Sequence, residues 1–190
     1  MTSEEKIQLK GALDTAYRDF ETLGIKPMLL GHTLLFAYRD HDFVDSPQAN
    51  IVDLGCFAED ITKEIREKLF AGGHFQSSLQ SNVEHSLMYF RYNDRQVELL
   101  PLFKFEDIRF LNMVPSVFHV WPANLCDKYG EIEFLGTKYR TVGNIEGWLR
   151  TYYGSTWNVK DDNFRWQGAA NKCDMSNKIS YKMYQDSTKK

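Results

Sequence analysis

Between Gly24 and Asp60 the chain alternates short apolar runs with turn signals so closely that few folds can accommodate it. Gly24 ends a leading helix, Lys26 to Leu30 has the length of a short strand, and Gly31-His32-Thr33 reads as a turn. Thr33 to Asp40 continues as a short helix, Asp40 to Asn50 is a polar loop, and Ile51 to Phe57 is a buried strand with one carboxylate, Asp53, at its centre. A sheet must therefore form around a strand that carries a charge in its apolar run.

The rest of the chain supplies the layers for that sheet. Thr2 to Leu23 predicts an amphipathic helix with Ala12, Leu13, Ala16, Tyr17, Phe20 and Leu23 on one face, and Thr2 with Glu5 has the spacing of a capping box. Asp60 is expected to cap a helix running to Ala71, with Ile61, Ile65 and Leu69 inward and Gly72-Gly73 stopping it. Phe75 to Phe103 is strand-like and includes a hairpin in which Val83 to Tyr92 turns at Asn93-Asp94 and returns as Gln96 to Phe103. Further strands are expected at Val117 to Trp121 and Glu131 to Thr141, then a helix from Ile145 to Tyr153. The order implies an α+β fold with a mixed sheet. At 190 residues it fits one domain, taken as residues 1–167, followed by a polar, Lys-containing tail over 168–190.

Composition narrows the function classes. A formal net charge of -3 supplies no cationic footprint for a polyanion, so nucleic acid is not expected as a partner. Cys56, Cys126 and Cys173 are widely separated and lack the close pairs of a zinc site, which reads as reduced thiols in a cytoplasmic setting, with Cys56 packed in its strand. The first residues, MTSEEKIQLKG, have no apolar signal core, and no apolar run approaches the roughly twenty residues that span a bilayer. Thirteen Phe, ten Tyr and four Trp point to an aromatic core or, on the surface, to a stacking platform for a base or sugar.

His32-Thr33-Leu34-Leu35-Phe36, then Arg39, then Ile51-Val52-Asp53-Leu54-Gly55, resembles the active-site segment of the LicD/fukutin family, phosphotransferases of the nucleotidyltransferase fold. In that family the pattern is a Gly-Thr-Leu-Leu-Gly turn, an Arg, and an Asp-x-Asp-x-Gly strand. About ninety residues later, Asn144 to Trp157 is similar to the family's helix ending in Tyr-Gly-x-x-Trp. The resemblance implies a nucleotidyltransferase-like mixed β-sheet with flanking helices. It also implies transfer of a phosphocholine or phospho-alditol group from a CDP-linked donor to a sugar hydroxyl, with Mg2+ as cofactor. Three positions depart from the pattern: Ile51 replaces the first Asp, and His32 and Phe36 replace glycines of the turn. Together these departures suit a second expectation, a catalytically inactive nucleotidyltransferase-like fold that binds a protein partner or serves in assembly.

By the resemblance, Asp53 and Glu98 are the catalytic, metal-holding carboxylates, with Glu98 from Val97-Glu98-Leu99-Leu100 also able to act as general base. Asp45, or Asp42, from the long loop is the candidate to fill the gap at Ile51 as a further metal ligand. Gly31, His32, Thr33 and Arg39 are the candidate donor-binding residues, the amides of the turn and the Arg fork being suited to phosphate. Each has a plain structural alternative. Asp53 can pair with Arg39 or cap a neighbouring backbone, Glu98 can face solvent on its hairpin, Thr33 can cap a helix, Arg39 can tie helix to strand through Asp53 or Asp60, and His32 can simply fill space. Gly154 is expected to take a left-handed conformation, and Trp157 to pack the helix end against the sheet.

Overall fold

A computed structural model describes residues 1–46, 49–79, 87–114, 117–161 and 163–174. Helix α1 spans Ser3–Thr22. It begins as the sequence predicts, because the Thr2 side chain accepts from the Glu5 amide while the Glu5 carboxylate accepts from the Thr2 amide. It buries Leu9, Ala12, Leu13, Ala16, Tyr17 and Phe20, and Gly24, at φ 88°, lets the chain reverse after its end.

Strand β1, Met28–Leu29, leads into the short helix α2, Gly31–Leu35, which widens into a π-helical turn over Phe36–Asp40 and closes on His41 at φ 55°. Strand β2 is Ile51–Phe57, the span read from the sequence. The next helix, α3, is Lys63–Ala71 and takes its cap from Thr62, whose side chain accepts from the Ile65 amide. Asp60 instead lies in a 3-10 turn, Ala58–Asp60: two oxygen-bearing residues compete to start this helix, and the later one holds the amide.

Strands β3 (Phe75–Leu79), β4 (Leu87–Tyr92) and β5 (Arg95–Phe105) follow. The β4–β5 turn at Asn93-Asp94 has both residues at positive φ, the geometry of a type I′ hairpin. Residues 83–86, read as the start of the first hairpin strand, lie outside the described residues. Strand β6 (Ile108–Val114), which sequence reading did not separate, pairs with β5 and with β7 (Val117–Pro122). After the single turn α4 (Ala123–Cys126), the expected strand Glu131 to Thr141 is two strands, β8 (Tyr129–Phe134) and β9 (Thr137–Val142), reversed at Leu135-Gly136 with both φ values positive. Helix α5, Ile145–Tyr153, matches its expectation. Residues 172–174, assigned by sequence to the tail, form the edge strand β10 (Lys172–Asp174) against β7.

The main sheet has eight strands, ordered β1-β2-β5-β6-β7-β10, with β4 on β5 and β3 on β4. It is mixed: β2 and β5 run parallel and the other pairs antiparallel. Val52 and Leu54 of β2 join Val97 and Leu99 of β5 and the apolar face of α1 in one core. Aromatic contacts hold that layer, among them Phe20 edge-on to Phe90 at 5.1 Å and Tyr17 to Tyr139 at 5.1 Å. The opposite face of β2 carries Ile51, Asp53 and Gly55, so strand alternation alone turns the single charge away from α1. Cys56 is buried, as its place in the strand suggests, and burial pushes its thiol well up.

Candidate active site

The parallel register sets Asp53 of β2 directly beside Glu98 of β5. Glu98 lies opposite Tyr89 of β4, and Tyr89 opposite Ser77 of β3. Paired positions on neighbouring strands share a face, so these four make a polar row across the sheet.

Asp53 is tied to the start of α2. Its Oδ2 accepts from the His32 amide at 2.7 Å, and its own amide donates to Thr33 Oγ1 at 2.8 Å. The carboxylate thus caps the helix from the adjacent strand, the backbone-capping alternative for Asp53, and it suits the positive end of the helix. Gly31 makes this approach sterically feasible: at φ 52°, a Cβ there would sit 2.1 Å from Asp53 Oδ2. Thr33 is fully buried and spends its hydroxyl on this lock. The glycine of the strand, Gly55, leaves room for Leu30, whose Cδ1 would lie 2.0 Å from a Cβ.

Glu98 is half-buried, and Gln96 Nε2 donates to its Oε1 at 2.8 Å. Burial first, and then the neighbouring charge of Asp53, push its carboxyl up to about 8, against the opposing hydrogen bond from Gln96. Tyr152 of α5 faces the same pair: burial raises its phenol, and the charges of Asp53 and Glu98 raise it further. Two desolvated carboxylates side by side fit a magnesium ion, which takes one or two carboxylates and keeps its remaining positions for waters and phosphate oxygens.

The loop before β2 does not deliver a third ligand. Among the described residues no group of three His, Cys, Asp or Glu side chains is placed to hold a metal. Asp45 is 83 % exposed and lies 3.2 Å from the amino nitrogen of Met1, while Asp42 pairs with Lys6. The amino terminus and Lys6 of α1 lie beside the loop and draw both carboxylates. Arg39 is not joined to Asp53 or Asp60 either. Its fork grips Asp40, Nε to Oδ1 at 3.0 Å and Nη2 to Oδ2 at 2.8 Å, and Nη1 donates to the Trp157 carbonyl at 3.4 Å.

At the Asp53 end of the row lies a cleft between α2 and the segment that follows α5, its lining including His32, Phe36, Arg39 and Ser46 on one side and Tyr153, Lys160, Asp161 and Phe164 on the other. His32 Nδ1 is 3.4 Å from Asp53 Oδ2, and its ring lies 5.7 Å from Tyr153 and 6.2 Å from both Phe36 and Phe164. These rings leave only about 40 Å³ of the cleft open to water. Two hydroxyls in its lining, Ser46 Oγ and Tyr153 Oη, are buried without a hydrogen-bond partner among the described residues. Buried orphan hydroxyls are uncommon in folded proteins, and two of the three among the described residues, the third being Thr141 Oγ1, belong to this cleft.

Gly154 takes φ 88° with ψ -177°, an extended rather than left-handed helical conformation open to glycine, and this sends the chain away from α5 and back over α2. Trp157 lies against Tyr38, at 5.7 Å, and packs on the main core. Ser46, Tyr152, Tyr153, Lys160 and Phe164 were not singled out for the site from the sequence. For Lys160 and Phe164 the Tyr-Gly motif carried the only signal, since the return of the chain depends on one glycine torsion.

No family model matches the chain, and no curated protein matches it. Among solved structures, one of those similar to it is the lincomycin-bound crystal structure of the lincosamide antibiotic adenylyltransferase LnuA, at 13% sequence identity and a TM-score of 0.47, covering 75% of this chain and 81% of that one.

Proposed function

We propose that the chain is a phosphotransferase of the nucleotidyltransferase-like type that moves a phosphocholine or phospho-alditol group from a CDP-linked donor to a sugar hydroxyl. The observation that carries this reading is the in-register Asp53–Glu98 pair beside a cleft lined by Arg39, Lys160 and two unpartnered hydroxyls. Cations and spare hydroxyls suit a diphosphate, and a desolvated carboxyl suits a proton acceptor poised near neutral pH.

In the balanced reaction, the acceptor oxygen forms a bond to the donor phosphorus that bears choline or the alditol. The bond from that phosphorus to the bridging oxygen breaks, CMP leaves with the electron pair, and the hydroxyl proton passes to Glu98. Magnesium held by Asp53 and Glu98 would supply neutralisation of phosphate charge. Arg39 orients the donor after trading part of its hold on Asp40, and the segment bearing Lys160 and Phe164 shifts to admit the nucleotide.

The test is CMP release from CDP-choline and CDP-ribitol with magnesium, together with calorimetric donor binding, for the wild type and Glu98→Gln. The expected result is magnesium-dependent release that the variant loses while it still melts cooperatively. Absence of binding to every CDP-linked donor, with and without magnesium, overturns the reading.

A second reading is favoured by the Asp53 cap and by the filled cleft. His32 and Phe36 take space that glycines would leave, and Asp53 already serves α2, so the same fold can stand as an inactive module with a protein partner. In that case the chain binds no nucleotide and an interaction screen returns a stoichiometric partner.

A further inference from the structure

We propose that an open groove at the other end of the polar row is the acceptor subsite, taking a neutral polyhydroxylated molecule such as a sugar or alditol and presenting one of its hydroxyls to Glu98. This deepens the transferase reading and rests on it.

The groove is lined by Gln76, Ser77, Tyr89, Phe90, Arg91 and Gln96, and about 300 Å³ of it is open to water. That is several times the free space of the aromatic cleft and falls at the small end of ligand sites. The strand register builds it: Gln96 lies opposite Arg91, Glu98 opposite Tyr89, and Tyr89 opposite Ser77, which puts all five of these side chains on one face. The aromatic cleft adjoins Asp53 and the groove adjoins Tyr89, so Glu98 stands between them.

Its chemistry differs from that of the cleft. One hydroxyl, one phenol and two carboxamides both donate and accept, as an array of sugar hydroxyls requires. Arg91 is the single charged residue in the lining, and its Nε lies 3.6 Å from Asp94 Oδ1, so the groove lacks the cation cluster that a phosphate would call for. The Tyr89 ring offers an apolar face for a sugar ring. Gln96 links groove and carboxylate through its 2.8 Å bond to Glu98.

The experiment is saturation-transfer NMR with free galactose, N-acetylglucosamine and ribitol as probes, in the absence of nucleotide and magnesium. Wild-type protein is compared with Ser77→Val and Tyr89→Phe, two changes suited to strands, with thermal melts as the folding control. At least one probe is expected to receive saturation from the wild type, with affinity about tenfold weaker in a variant that loses a hydroxyl. No transfer to any probe, or equal transfer to the variants, overturns the proposal.

A parallel titration with CDP-choline separates the two readings. Donor binding without sugar binding leaves the transferase reading standing and removes the groove proposal. Sugar binding that the variants weaken, with no donor binding, leaves a sugar-binding groove and removes the transferase.

Discussion

Glu98 concentrates the electrostatics of this chain, because its neutral form is the one the fold prefers. Its carboxyl is raised to about 8, so between the ordinary carboxylate range and about 8 the folded state holds a proton that the unfolded state has lost. Stability from this group is complete below the ordinary value and falls as pH rises through about 8. Glu98→Gln therefore leaves stability near pH 4 almost unchanged and raises it at pH 8.5 by on the order of 2 to 3 kcal/mol, as denaturant titrations at the two pH values would read. The same residue predicts a rate that climbs toward pH 8 at low magnesium, with the climb moving to lower pH as magnesium rises. Tyr153 makes a second trade. Its hydroxyl is buried without a partner among the described residues, so Tyr153→Phe should raise the melting temperature, by the equivalent of about 1 kcal/mol, while weakening donor binding in a calorimetric titration. A purely structural tyrosine would move the first readout and not the second.

At the scale of elements, the lock between α2 and β2 is the unit on which the site depends. Gly31→Ala places a Cβ 2.1 Å from Asp53 Oδ2 at a residue with φ 52°, so the carboxylate must leave the His32 amide. The expected loss is about 2 kcal/mol of stability, from the strained torsion and the lost cap, and it is read by thermal melting. Alanine at Gly73, which has open space around it, serves as the control. This unit was largely legible in the sequence: the bounds of β2 and α5 were read from their apolar runs, and the α1 capping box from Thr2 and Glu5. The choice between metal ligand and backbone cap at Asp53 was not legible, since it turns on where the first amides of α2 point. Loop charges were equally opaque. Asp45 and Asp42 look like ligands on the linear chain and become partners of the Met1 amino group and Lys6 only when the start of the chain is laid beside them. The groove escaped notice because Ser77, Tyr89, Arg91 and Gln96 carry no motif. Only the registers of three strands bring them together.

For the molecule as a whole, the segment after α5 joins the two sides. Its first part returns over α2 to close the cleft, and its last described part ties α5 to the sheet: the Ala170 amide donates to the Tyr152 carbonyl, and Asn171 Nδ2 donates to the Val120 carbonyl at 3.0 Å. Behind Tyr152, Trp121 and Trp148 stack at 5.0 Å with ring planes 5° apart, so the helix that presents Tyr152 and Tyr153 is clamped from beneath. The three residues of β10 have a further consequence, in solution rather than at the site. They occupy the edge of β7, whose amides and carbonyls would otherwise face water as a template for another strand. Truncation after residue 167 should therefore yield a chain that self-associates as concentration rises, visible by light scattering, and a short peptide spanning 168–174 supplied in trans should suppress the growth. By this account β10 keeps one copy of the chain from becoming the next strand of another.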